Sequence, residues 1–380
     1  MHCVKKRPCK VDELGELMMS KVKQNVEDIK NCSFVKTVLM LLVILGHSCC
    51  FWDGTWFTGN PVFQSKWLGL ISSLVGSFHI YAFTLVSGYI FAFKVLSVEG
   101  GYNHYGLFLK NKAKRLLVPY VFVMLIWVAP ISAYYFKWDL PYLFKKYILC
   151  ISPSQLWFLW MLFGVFAIVW PLRNLIIKKP FVGWIISLVL YGVGAIGGRF
   201  IPNVFCIWTA CLYVVFFFIG MRIRVKGEEQ KKLFTDVVPW FCWVIEYLLL
   251  FAGNRLIGHQ DGFIWSVISL GMEFLLRIVG ALMAWTSLHT VASKVHWQEN
   301  KVFKTLTCYS MPMYLFHQQI IYFTITQLNG VVNPWINASV NFVAAIAGSL
   351  IISALLMRWS VTRILVGEKR FSPKRVGFSS

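Results

Sequence analysis

Ten long apolar stretches constrain this chain more than any other feature. They run over 34–52, 74–94, 115–136, 155–172, 181–198, 203–220, 237–254, 263–287, 306–327 and 335–357. Crossing the hydrocarbon layer of a bilayer takes about 20 mostly apolar residues in a helix, and each stretch is close to that length. Composition agrees: 58% of the residues are hydrophobic and 14% are charged, against roughly 25% charged in a soluble domain. An aromatic content of 17% argues against disorder, collagen and coiled coil. The expected fold is all-α, a polytopic membrane helix bundle of about ten transmembrane helices. The net charge of +21 would point to nucleic acid in a soluble protein. In a membrane protein it points to basic cytoplasmic loops beside anionic lipid, so membrane lipid is an expected partner and nucleic acid is not.

The basic residues also orient the spans. With the N-terminus inside, 29 of the 37 Lys and Arg residues fall in inside segments and six in outside loops. Lys36 and Arg277 lie within spans. An excess that alternates at every loop places both termini in the cytoplasm. The chain therefore reads as a basic cytoplasmic tail (1–33), a transmembrane domain (34–357) and a basic C-terminal tail (358–380). Residues 11–30 have the composition of a cytoplasmic or interfacial helix. Pro141 and the aromatic residues around Tyr142–Tyr147 predict an interfacial segment before the fourth span. Residues 1–31 hold no apolar core of the kind a signal peptide needs. The ten cysteines show no metal-ligand spacing and no disulfide framework. Those inside apolar runs, such as Cys206, Cys211, Cys242 and Cys308, behave as small hydrophobes.

Ionisable side chains inside lipid default to a functional reading. The first span carries Lys36 and, eleven residues on, His47, which places them about 16 Å apart along a helix axis. Gly46 lets another backbone or a substrate come close beside His47. The second span opens with His79 and continues to Ser87, Gly88 and Tyr89; the ninth carries Tyr309, Ser310 and His317. Three histidines on three spans are expected to meet at one site, and imidazole is the group best suited to take and return a proton near neutral pH. No Asp or Glu at helical spacing joins them, so no metal is expected. The bland alternatives are snorkelling for Lys36 and packing for His47. Lys110, Lys112, Lys114 and Arg115 cluster at the inner mouth of the third span. They read either as a positive-inside anchor or as a phosphate patch, since Arg grips phosphate bidentately and Lys adds point charge. Trp157, Phe158 and Trp160 open the fourth span in the manner of an aromatic belt. Glu273 and Arg277, four apart, read as a structural ion pair.

Taken together these segments resemble membrane acyltransferase family 3, whose members include bacterial O-acetyltransferases of polysaccharides. The motifs that carry the resemblance are Lys36 and His47; Phe78, His79, Phe83, Ser87, Gly88 and Tyr89; Arg115, Leu116, Leu117, Pro119 and Tyr120; Leu156, Trp157, Phe158 and Leu159; and Tyr309, Ser310, Tyr314, Leu315 and His317. They follow the family's order over about residues 30–325. Ser33 and Thr37 stand where the family often has an acidic residue and a glycine, and the usual proline two residues after His79 is replaced by Tyr81. The resemblance implies an integral O-acyltransferase of the bacterial inner membrane. It would move an acetyl group from acetyl-CoA to a hydroxyl of a cell-surface glycan or its lipid-linked sugar precursor. In that reading Lys36, Lys112, Lys114, Arg115 and Trp157 hold the acyl-CoA. His47 is the base or a transient acyl carrier, and His79, His317, Tyr309 and Ser310 complete the catalytic group. A transporter or glycan exporter is the rival of a different class, predicting internal repeat symmetry and no use of acetyl-CoA. A glycan polymerase or ligase would carry a larger outer loop.

Overall fold

A computed structural model of the chain describes residues 10–54, 59–97, 104–136, 139–226, 238–258 and 262–368, with backbone only over 10–26 and at 263. The tail residues 1–9 and 369–380, and most of the basic loop between Arg222 and Lys232, lie outside the described residues.

Among the described residues every regular element is helical. The first, α1 (Lys10–Cys49), joins the expected interfacial helix and the first span into one 40-residue rod. At 1.5 Å per residue it is about 60 Å long, twice the thickness of the hydrocarbon layer. The second span is broken into α2 (Lys66–Gly76) and α3 (His79–Ser97). The third is α4 (Tyr105–Val123), which continues through a π-helical turn into α5 (Ala129–Tyr135). A short α6 (Leu140–Leu143) with another π turn forms the expected segment before the fourth span. Then follow α7 (Trp157–Lys178), α8 (Pro180–Phe200), α9 (Ile207–Lys226), α10 (Trp240–Ile257), α11 (Phe263–Lys294), α12 (Lys301–Leu328), α13 (Pro334–Leu356) and a short α14 (Ser360–Leu365).

Nine helical segments among the described residues are long and apolar enough to cross a membrane. The expected ninth span, 306–327, is the helix α12, which has the length but not the apolar composition. Its polar residues explain the difference: His317, Gln318 and Gln319 are all buried against other helices, so the lipid never meets them.

Three features set the arrangement of the bundle. The most extensive packing is between α3 and α9. There Gly88 and Gly220 let the two backbones touch, as small residues do at membrane helix crossings. Next, α1 and α12 run parallel: Thr37 Oγ1 donates to Thr307 Oγ1 at 3.0 Å, and ten residues further along both helices His47 meets His317. Parallel packing is what alternation requires of a first and a ninth span. Finally, Asp28 at the start of the first span is buried among groups from three other helices at one end of the bundle. Arg224 Nη1 lies 3.2 Å from one of its carboxylate oxygens, Tyr89 OH donates to the same oxygen at 3.2 Å, and His289 Nε2 is 3.8 Å from the other. Tyr89, Arg224 and His289 come from the second, sixth and eighth spans, all of which end where the first begins.

Candidate active site

Five of these helices, α1, α3, α4, α7 and α12, enclose a cavity of about 170 Å³. Four cationic side chains line it: Lys36, Lys94, Lys112 and Arg115. Among the described residues no carboxylate lines it. Arg115 is exposed, whereas Lys36, Lys94 and Lys112 are half-buried, so the basic end opens to the surface. Deeper in, the wall becomes aromatic and aliphatic, with Phe83, Phe158 and Tyr314 near its far end and the hydroxyls of Ser87 and Ser310 in the lining. Aromatic faces support two of the cations. Lys112 Nζ sits 3.6 Å from the centre of the Phe166 ring, and Lys36 Nζ lies 5.9 Å from that of Phe83. A ring face attracts a cation, so each of these ammonium groups has an aromatic face as a favourable neighbour. Lys36 therefore does not simply snorkel past the bundle; it forms part of the cavity wall.

The motif Ser87-Gly88-Tyr89 shows how three adjacent residues take three roles. Ser87 lines the cavity and donates to Phe83 O at 2.9 Å. Gly88 packs on α9: an added Cβ there would fall 1.9 Å from Phe217 O. Tyr89 turns toward Asp28. Successive residues point about 100° apart on a helix, which is why neighbours in sequence face three different surroundings.

The three expected histidines do not line the cavity. His47 and His317 stand about one helical turn beyond its far end, and His79 directly adjoins its wall. His47 follows the lining residue Val43 by four, His317 follows Tyr314 by three, and His79 immediately precedes the lining residue Ile80. His47 and His317 meet directly, Nδ1 to Nε2 at 2.8 Å, with their rings nearly parallel at 6°. His317 Nδ1 is in turn 2.7 Å from Tyr314 O. His79 Nδ1 instead bonds Val75 O at 2.6 Å. The break between α2 and α3 explains this contact. It leaves Val75 O outside the regular helical ladder, where it accepts from Phe78 N and from the imidazole.

The remaining expected residues separate. Ser310 lines the cavity, but its hydroxyl donates to Thr307 O. Tyr309 packs among apolar side chains away from the cavity. Lys114 is exposed on another face of α4, in a groove with Lys110 and Leu117. Trp157 packs against Tyr213, its ring centre 5.8 Å away, and its neighbour Phe158 lines the cavity in its place. Glu273 and Arg277 do pair on one face of α11, with Tyr191 OH 3.4 Å from the guanidinium.

Several site residues carried weaker signals. Lys94 reads in sequence as one more positive-inside residue at the end of the second span. Gln155, just before α7, forms a buried polar clasp onto α12. Its backbone N–H donates to Gln318 Oε1 at 3.0 Å, its amide nitrogen to Gln319 Oε1 at 2.8 Å, and its own carbonyl accepts from Tyr314 OH. That clasp fixes the turn of α12 carrying both the Tyr314 and His317 side chains.

Helices long and apolar enough to cross a membrane, a cation-lined cavity among five of them and an imidazole pair beyond its far end together describe a multi-pass membrane protein. The sequence profile described as an acyltransferase domain matches residues 30–358. The chain belongs to that family, membrane acyltransferase family 3, and is a membrane acyltransferase. No curated protein and no solved structure matches the chain.

Proposed function

We propose that the protein is an O-acetyltransferase of a bacterial plasma membrane. It takes the acetyl group from acetyl-CoA on the cytoplasmic side and places it on a hydroxyl of a cell-surface polysaccharide or its lipid-linked precursor. The observation that carries this reading is the cavity, with four cations and, among the described residues, no carboxylate in its lining, and the His47–His317 pair a turn beyond its far end. Coenzyme A is an anion at one end, through its phosphates, and a slender uncharged thioester arm at the other. Arg115, Lys36, Lys94 and Lys112 suit the phosphates. The apolar wall between Lys36 and His47, about 16 Å along α1, suits the pantetheine arm. Lys114 and Trp157 do not line this cavity.

In this reaction the acceptor hydroxyl gives its proton to His47 as its oxygen attacks the thioester carbonyl. The carbon–sulfur bond then breaks, and the departing sulfur takes the proton back from the imidazolium. Holding the thioester beside the base supplies much of the rate, because the reacting atoms no longer have to find each other.

The test is a transfer assay with radiolabelled acetyl-CoA and membranes holding wild-type protein or Arg115→Ala at equal amounts. Loss of donor use that is rescued by high acetyl-CoA supports the reading. Label transfer that is indifferent to Arg115 and its three lysine neighbours contradicts it.

A further inference from the structure

The geometry points to His317 as a positioning residue: through a carbonyl-anchored hydrogen-bond chain it fixes the tautomer of His47 and makes His47 Nε2 the nitrogen that takes the acceptor's proton. This rests on the reading of His47 as the general base.

The direction of the chain follows from its last member. Tyr314 O, 2.7 Å from His317 Nδ1, is a backbone carbonyl and can only accept a hydrogen bond. His317 Nδ1 therefore carries the hydrogen. In a neutral imidazole the other nitrogen is then the acceptor, so His317 Nε2 offers a lone pair to His47 Nδ1, 2.8 Å away. His47 Nδ1 must donate, and the lone pair of His47 lies on Nε2. One carbonyl thus decides the proton positions on two rings. The opposite arrangement, with hydrogen on His47 Nε2, would need His317 to donate from Nε2 and leave its Nδ1 lone pair against a carbonyl lone pair.

This role has structural support around it. Neither histidine is placed by a loop: His317 sits within α12 and His47 in the last turn of α1, and the two helices run parallel and in register, as the Thr37–Thr307 contact ten residues earlier shows. His317 is fully buried, which suits an orienting partner and not a group that meets substrate. The Gln155 clasp holds the same turn of α12 through Tyr314 OH, Gln318 and Gln319. During reaction the proton leaves the acceptor hydroxyl for His47 Nε2. The imidazolium so formed keeps its Nδ1–H directed at the neutral His317, whose lone pair stabilises it. Nε2 then delivers the proton to the sulfur as the carbon–sulfur bond breaks. His317 gains and loses nothing; an orienting group that holds a base in the working tautomer acts in the same way in hydrolytic triads.

Two measurements test this. Solid-state NMR of the full-length protein in bilayers with ¹⁵N-labelled histidine should show both His47 and His317 protonated on Nδ1 and unprotonated on Nε2, with assignment by loss of signals in His47→Gln and His317→Gln. A neutral His47 protonated on Nε2 would overturn the proposal. In transfer assays His317→Leu should lower kcat by about 100-fold while KM for acetyl-CoA stays within about twofold. His317→Gln, whose amide oxygen can take the place of the imidazole acceptor nitrogen, should recover most of that loss. Equal activity of the Leu and Gln variants would overturn it. The failure of the general-base reading looks different: His47→Ala would then retain transfer, while the NMR tautomers could still be as described.

Discussion

Gly88 of α3 and Gly220 of α9 face opposite backbones so closely that a Cβ on either would lie 1.9 Å from a carbonyl oxygen, Phe217 O for the first and Leu85 O for the second. Backbone cannot yield as a side chain can. Gly88→Ala or Gly220→Ala should therefore destabilise the bundle at or above the upper end of the usual overpacking cost, about 3 kcal/mol. Thermal unfolding in detergent, followed by the loss of monodisperse protein, checks this; unchanged melting would contradict it. Gly76, with open space around its would-be Cβ, is the control.

Lys112 and Lys114 are two residues apart and so about 200° apart around a helix, and only the first lines the cavity. Lys112→Gln should raise KM for acetyl-CoA about tenfold, the scale expected from losing one charge-assisted contact. Lys114→Gln should leave it within about twofold, as expected for an exposed charge. Steady-state kinetics on the two variants decides the matter; a larger effect from Lys114 would place the donor elsewhere.

Asp28 gathers Arg224, Tyr89 and His289 at the end of the bundle nearest the basic mouth. Asp28→Asn removes the charge that compensates a half-buried guanidinium. Breaking a buried pair from one side costs about 3–5 kcal/mol, and the partial exposure of Arg224 puts the expected loss at or below the lower figure. The double variant Asp28→Asn/Arg224→Gln should be more stable than Asp28→Asn alone. A double variant no better than the single one would show that the ion pair contributes little.

Gln155→Leu removes the side-chain amide that bonds Gln319 and Leu315 O, while the backbone contacts of residue 155 to Gln318 and Tyr314 remain. A buried group stripped of its hydrogen bond costs about 1–3 kcal/mol. The variant should melt lower and also transfer more slowly with little change in donor KM, since the turn bearing His317 loses the side-chain part of its clasp. Lower stability with an unchanged kcat would show that α12 holds its histidine without help.

The spans and their order were legible because lipid imposes one simple demand, length and apolarity, on each helix. The exception is instructive. The stretch 306–327 is spanning in length, yet its buried Gln318 and Gln319 lower its hydropathy because their partners come from Gln155, some 160 residues earlier in the chain. The meeting of His47 with His317 was expected from two imidazoles in apolar spans. That none of the histidines lines the cavity, and that His47 and His317 lie a turn beyond it, depends on helix rotation, which hydropathy does not encode. Rotation also decides between near neighbours: Ser310 reaches the cavity and Tyr309 does not, and Phe158 reaches it where Trp157 packs on Tyr213. The break after Gly76, which gives His79 its carbonyl partner, left no mark in a second span apolar on both sides of it.

The most direct test of the account compares wild-type protein and His47→Ala, each reconstituted in proteoliposomes, for both binding of coenzyme A and transfer of labelled acetyl to a glycan acceptor. The account predicts coenzyme A affinity within about twofold and transfer reduced at least about 100-fold, the lower bound for loss of a general base. Transfer that persists in His47→Ala at matched protein and intact binding would contradict it.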